Sequence, residues 1–424
     1  MCSRDASAFR LHDCVRLHEK TGLNRCRVEE RSPLRGSLGQ TWQSLRQDMR
    51  THLQEVSPGR RFGALIKRLI KYATAAILYS AGLTGLMLRR TLETGHACLI
   101  LGFHGTTDAA PGYFSPGHAI SNVRDQLRYL TRHLRQVSLE EIALAVTRGE
   151  SPPVASFAVT FDDGFTNNVI FAIPVLQEFN IPATFFMPSA LVGSSRDLWI
   201  SSLRELVRRW QGATIPGVPG LWPLLPTVDE ASRYAAYFRI KEALKTQDGR
   251  RQEILDRLAE EAGGYTRPPE EDRVVGPDLL RRMTQRPFTV GAHSRTHPIL
   301  STLEPESARA EIDGSRKDLE RMLEQPVLDF AYPNGRFPDL SDTTCRLVAE
   351  AGYRCAVTTE PGTVRRGDDR LALRRCLPGN VPAFLASFEL LARAWADRRR
   401  TGDLAWPLGR RISYLRAREA RVES

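Results

Sequence analysis

The chain has 424 residues, 42% of them hydrophobic and 26% charged, with a formal net charge of +11. That balance excludes wholesale disorder, and the length exceeds one average domain while remaining within reach of one large α/β domain with an insertion. Much of the positive excess lies in arginine-rich stretches near the C-terminus, such as Arg398–Arg400 and Arg410–Arg411. No RNA- or DNA-binding motif accompanies them, so nucleic acid is not expected as a partner, and a solvated basic surface explains them most simply.

Residues 1–60 carry many charges and no sustained helical or strand period, and read as a disordered basic extension. No apolar h-region follows Met1, so no signal peptide is seen. Cys2, Cys14 and Cys26 lack the close Cys or His partners of a zinc site. Seven scattered cysteines form no disulfide framework, which points to reduced thiols and a cytoplasmic location. Residues 61–95 read as a helical lead-in. Within it, Tyr72–Leu88 is a run of 17 uncharged residues with Lys67, Arg68 and Lys71 before it and Arg89–Arg90 after it. Spanning a bilayer takes about 20 apolar residues. Gly82, Gly85 and Ser80 dilute this run, so it reads first as helices packing on the following domain. An interfacial contact with a membrane is the second reading.

Ala97–Phe103 is an apolar, buried-strand pattern that ends in His104-Gly105. Helical spacing covers 122–146. Ser156–Phe161 is a second short apolar strand, and it stops at Asp162-Asp163-Gly164. A strand buried on both faces belongs to a parallel sheet covered by helices, whose chemistry gathers at strand C-terminal ends. Adjacent side chains at such an end diverge, so one carboxylate can bind a metal while the other faces substrate. A plain strand-ending turn is the alternative for Asp-Asp-Gly. A helix follows over 169–179, then a strand at Ala183–Met187.

Residues 194–285 read as a helical insertion, with helices over 198–210 and 231–262 and a Pro/Gly-rich loop between them. Trp199, Trp210 and Trp222 offer sugar-stacking faces, or serve as packing anchors. Phe288–Ala292 is a further strand, leading to His293 and His297 in a loop closed by Pro298. Two imidazoles and a carboxylate suit zinc, and three protein ligands leave a position open for water. Beyond these come Phe330–Gly335, a helix over 342–352, strands over 355–359 and 371–377, and a basic helical tail over 393–424.

Thr160–Gly164, His293–His297 and Phe330–Gly335 resemble, in this order, the three leading motifs of the polysaccharide deacetylases, chitin-deacetylase-like carbohydrate esterases with the NodB homology fold. The resemblance covers roughly residues 98–378, and the catalytic domain is placed at 96–392. It implies a distorted (β/α) barrel and metal-dependent hydrolysis of N-acetyl groups on an amino-sugar polysaccharide or oligosaccharide. Asp162 becomes the general base, and Asp163, His293 and His297 the ligands of a divalent ion, zinc by preference. The backbone N–H of Asn334 becomes the oxyanion donor. Ala331 stands where the family usually carries an arginine that steadies the base; Arg295, Arg374 and Arg375 are the replacements considered. The family's general-acid histidine usually lies near the C-terminus, but no histidine follows His297. His104 takes that role if the first strand is a circularly shifted last motif. A deacylase of a small amide or ester, or a non-catalytic polysaccharide-assembly protein on the same scaffold, are the rival readings.

Overall fold

The structure is a computed structural model that describes residues 58–398 except 111 and 116. The expected extension over 1–60 therefore lies outside the described residues up to 57, as does the expected tail beyond 398. The chain enters through two helices, Pro58–Ser80 and Leu83–Thr94, and then builds a barrel. Seven parallel strands follow one another around it: β1 (Ala97–Phe103), β2 (Ser156–Phe161), β3 (Ala183–Met187), β4 (Phe288–Ala292), β5 (Asp329–Ala331), β6 (Cys355–Pro361) and β7 (Leu373–Arg375). Closure is partial. Past the end of β7, Cys376 bridges Leu101 of β1 in parallel, with Gly102 N–H donating to Cys376 O at 3.0 Å and Cys376 N–H to Ile100 O at 2.8 Å. Short strands, Arg135–Gln136 on β2 and Val364–Arg365 on β1, complete the nine-stranded sheet.

Period-two alternation gives the barrel two apolar layers. Leu99, Leu101, Phe157, Val159, Phe185 and Val290 face outward into the main core, against the covering helices. Cys98, Ile100, Ala158, Phe186, Val357 and Leu373 face the lumen and form a second cluster with Ile142, Ala143 and Val146. Those last three belong to the helix Leu139–Thr147, which plugs the end of the barrel where the strands begin. Its Glu140 pairs with Arg354, just before β6. One end of the lumen is thus sealed by apolar packing, and polar chemistry is confined to the other.

Phe103, Phe161 and Phe185 lie in register on β1, β2 and β3 and stack with centroids 5.4 and 5.2 Å apart. This outward ladder lies immediately beneath the strand ends that carry His104 and Asp162, so its rigidity is transmitted to them. The helical spacing over 122–146 resolves into two helices, Ile120–Thr131 and Leu139–Thr147. The break comes where Arg135–Gln136 pairs with β2, and Ser138 with Glu141 then forms a capping box that starts the second helix.

Three helices, Trp199–Arg208, Glu230–Leu244 and Arg251–Glu261, form the expected insertion around their own core. Trp210 and Trp222 are buried there, their indole N–H groups donating to Thr214 O at 2.9 Å and Pro216 O at 3.0 Å. They are packing anchors, not sugar platforms, and Arg251 lies 4.5 Å over the ring of Trp199. Replacing Phe161, the middle ring of the ladder, by alanine should cost roughly 3–5 kcal/mol of unfolding free energy. Urea denaturation followed by circular dichroism checks this; a loss below ~1 kcal/mol would show that the ladder does not support the sheet.

Candidate active site

Asp162 follows the last residue of β2 and keeps the strand's lumen-facing phase. Its N–H donates to Phe103 O at 2.9 Å, and only 1% of its surface is exposed. Asp163 adopts φ 68°, which turns its carboxylate away from its neighbour's direction. Gly164 continues at φ 62°, and a Cβ there would lie 2.3 Å from the sulfur of Met187, so only glycine fits. Its carbonyl is fixed by Val275 N–H at 3.0 Å, and the next bridge joins Phe165 to Val274. The segment returning from the insertion therefore clamps the Asp-Asp-Gly turn.

His293 and His297 leave the end of β4. The loop between them is held from outside. Glu311 accepts from the backbone N–H groups of Arg295 and Thr296 at 2.7 and 2.9 Å, and His297 N–H donates to Ser294 Oγ at 3.0 Å. Nδ1–H of His293 donates to Ala331 O at 2.7 Å, which leaves Nε2 to face Asp163. The Nε2 atoms of His293 and His297 lie 3.6 and 3.3 Å from Asp163 Oδ1, and one ligand atom from each of the three buried residues falls within 4.8 Å of the others.

The donor set fits a metal ion. Ligands of a tetrahedral site with bonds of about 2.0–2.2 Å stand about 3.3–3.6 Å apart, the separations seen here. Asp163 Oδ1 is also buried without a hydrogen-bond partner among the described residues, an expensive state for an ionised oxygen unless a cation completes it. Burial would raise the Asp163 carboxyl, but the two imidazoles outweigh it and hold it well below the usual range. Burial likewise pulls His293 down, while Asp163 and Asp162 push it up and prevail.

The arginine missing at Ala331 is supplied from β7. Arg375 is fully buried and grips Asp162 with both ends of its fork, at 2.8 Å to Oδ1 and 2.6 Å to Oδ2. Two further donors go to Thr358 O at 2.7 Å and Thr160 Oγ1 at 3.0 Å. Burial would raise the Asp162 pKa, and the guanidinium reverses this and keeps it below the usual value. The other two candidates are occupied elsewhere. Arg295 pairs with Asp318 at 2.9 Å, and Arg374 lies over Phe337 and near Asp397. A sequence signal ranks the three: Leu373, Arg375 and Leu377 alternate, so Arg375 alone shares a face with flanking leucines.

His104, half-buried, follows β1 beside Asp162 and lies close enough to act on both Asp162 and Asp163. His118 also lies near His104; its Nε2 is 2.8 Å from Pro378 O. Asn334 sits in a left-handed pair with Gly335, at φ 60° and 68°, where a Cβ on Gly335 would come within 2.9 Å of Tyr332 O. Thr359 anchors this turn, its hydroxyl donating to Asn334 O and its N–H to Gly335 O at 2.8 Å. Among the described residues the Asn334 N–H donates to no protein acceptor. From the insertion comes Tyr237, which no sequence motif marked. Burial pushes its phenol up to about 12, and Asp163 is among the charges acting on it.

The sequence profile of the family described as polysaccharide deacetylase matches residues 149–215 and 217–356. The matched segment belongs to the polysaccharide deacetylase family. YxkH of Bacillus subtilis (strain 168), named for the same family, is 22% identical over 236 residues, which are 56% of this chain and 56% of that protein. The chain thus spans little more than half the length of that curated relative. Among solved structures, the Streptococcus pyogenes deacetylase PplD in complex with acetate is 18% identical, covering 70% of this chain and 98% of its own, with a TM-score of 0.45. IcaB from Ammonifex degensii is 17% identical, covering 70% and 97%, with a TM-score of 0.46. His104 and Arg375 both lie outside the matched residues of the polysaccharide deacetylase profile.

The Asp162–Arg375 pair predicts a pH signature. With a lowered folded pKa, Asp162 contributes stability that is present above its unfolded value of about 3.9 and lost as pH falls through the folded one. In Arg375→Met, burial loses its main opponent, leaving only the weaker pull of His293 and His104, and the carboxyl rises, so the sign inverts and stability is lost as pH rises. The cost of Arg375→Met should therefore grow from pH 4 to pH 7, reaching roughly 3–5 kcal/mol. Denaturant titrations of chelator-treated protein at the two pH values test this, and a cost independent of pH would remove the arginine's assigned role.

Proposed function

We propose that the chain is a metal-dependent hydrolase that removes N-acetyl groups from an amino-sugar polysaccharide or oligosaccharide. The observation that carries this is one mouth of the barrel holding a buried Asp163/His293/His297 triangle beside an arginine-held, ionised Asp162. The donor set favours zinc, held by those three side chains. When bound, such an ion supplies Lewis acidity, polarising an acetyl carbonyl and lowering the pKa of water toward about 7.

The residues then divide the work. Asp162, kept as a carboxylate by Arg375, accepts a proton from the attacking water; its two oxygens retain acceptor capacity beyond the arginine fork. The Asn334 N–H donates to the oxygen on which negative charge develops as the acetyl carbon becomes tetrahedral. His104, on the adjoining strand end, delivers a proton to the sugar nitrogen as the C–N bond breaks, and the products are acetate and a free amine. The pairing of Asp162 with Arg375 also weighs against the non-catalytic reading, because a scaffold that had lost its chemistry would have no use for a buried, compensated carboxylate.

Acetate release from N-acetylated oligosaccharides, measured with and without a chelator, tests the whole reading. Activity should vanish on chelation and return on adding zinc. Asp162→Asn should keep its metal, by elemental analysis, and lose activity about 10²–10⁴-fold. Asp163→Ala and His297→Ala should lose both. His104→Ala should retain the ion and slow amide substrates more than esters, because an alkoxide leaves more readily than an unprotonated amine. Near-normal turnover by Asp162→Asn, or equal losses on amide and ester for His104→Ala, would reassign those roles.

A further inference from the structure

The two entry helices carry an apolar face that the domain does not use. On the first, Ile66, Leu69, Ile70 and Ile77 recur at helical spacing and are 39%, 43%, 60% and 67% exposed; on the second, Leu86 and Met87 are 59% and 45% exposed. The opposite faces are committed to the protein. Tyr72, Ala75, Thr84, Leu88 and Leu92 are buried. Tyr79 stacks on Tyr129 at 4.6 Å, Tyr72 meets Phe384 edge-on at 6.1 Å, and Lys71 pairs with Glu389 at 2.8 Å. Clustered side chains of this size, left in water on a rigidly held hairpin, mark a surface that something covers.

Geometry and charge select the occupant. Among the described residues no single helix is long and apolar enough to cross a membrane. The two helices pass that test only as a pair bent by 88°. A bent pair with one face packed on a domain cannot surround itself with hydrocarbon, but it can lay its outer face into a bilayer surface. From 58 to 94 the sequence holds seven basic residues (Arg60, Arg61, Lys67, Arg68, Lys71, Arg89 and Arg90) against one acidic residue, Glu93, which pairs with Arg89 at 2.8 Å. A second copy of this face would meet it with like charge. The preceding segment offers no complement either: residues 1–57 contain ten Lys or Arg against seven Asp or Glu, a net +3. An apolar stripe bordered by cations, with exposed Lys67 and Arg90 beside it, matches an anionic phospholipid surface.

We infer that the helical hairpin 66–94 docks the domain on the surface of an anionic bilayer as an interfacial, non-spanning anchor. The full chain should float with vesicles of phosphatidylcholine containing about three parts in ten phosphatidylglycerol, more weakly with phosphatidylcholine alone, and less as salt rises. Lys67→Gln and Arg90→Gln should each weaken partitioning about fivefold. Ile70→Ser, Ile77→Ser and Leu86→Ser should each weaken it at least tenfold, and the combined variant should not float. These positions are exposed, so thermal unfolding and hydrolysis of a soluble oligosaccharide should not change, which separates this inference from the proposed activity. Absence of flotation with either vesicle, or undiminished flotation of the triple variant, would overturn it. So would a wild-type dimer that the triple variant disperses, since the face would then be an interface between copies.

Discussion

Burying a carboxylate to the extent of Asp162 costs several kcal/mol unless a partner of matching geometry repays it. Arg375 does so with a fork-on-fork pair, and two more of its donors are satisfied by Thr358 and Thr160. That pair spans the closure of the barrel, joining the end of β2 to β7 across the first strand. The rest of the site inherits its order from this constraint. With Asp162 fixed as an anion pointing into the lumen, the chain must turn at Asp163 into a left-handed conformation, and this turn delivers the second carboxylate to the histidines. Two adjacent acids thus acquire different partners without any change of residue type.

The histidine loop and the third motif are coupled in a similar way. Ala331 lacks the side chain that usually steadies the base, yet its backbone orients His293 through Nδ1. A backbone carbonyl survives any substitution, which is why the position can lose its arginine without loosening the metal triangle. The cationic function moved to a strand that the barrel brings to the same place by a different route. What must be kept is a guanidinium within reach of the base, and a closed barrel offers several strand ends from which to supply it.

Much of this could be read from residues. Short apolar runs ended by Asp-Asp-Gly, His104-Gly105 and the histidine pair located three strand ends, because buried strands leave a strong compositional mark and their functional ends interrupt it. The strand Ala97–Phe103 has the bounds its composition suggests. Three things were less legible. The arginine's identity depended on long-range closure, although the alternation around Arg375 held the clue. The break in the helical stretch after Thr131 came from two residues recruited to the sheet edge, a tertiary effect that overrides local period. The tryptophans of the insertion gave no sign of which way they face, since an indole serves a core and a sugar equally well until its N–H partner is known.

The division between the family-matched segment and its flanks has a physical logic. Residues 149–356 contain the proposed base and the three metal-ligand candidates, a constellation whose members must hold fixed distances from one another. Of the groups added from outside, Arg375 on the last strand holds Asp162 through hydrogen bonds and His104 on the first is the proposed proton donor, both at the margin of that constellation. A strand can therefore sit at either end of the chain without disturbing it, provided closure returns it to its slot. The backbone exchange between Gly102, Ile100 and Cys376 makes that return, placing the first and last strands side by side with their functional ends level. Barrel closure, more than any sequence motif, is what lets residues separated by most of the domain converge on Asp162.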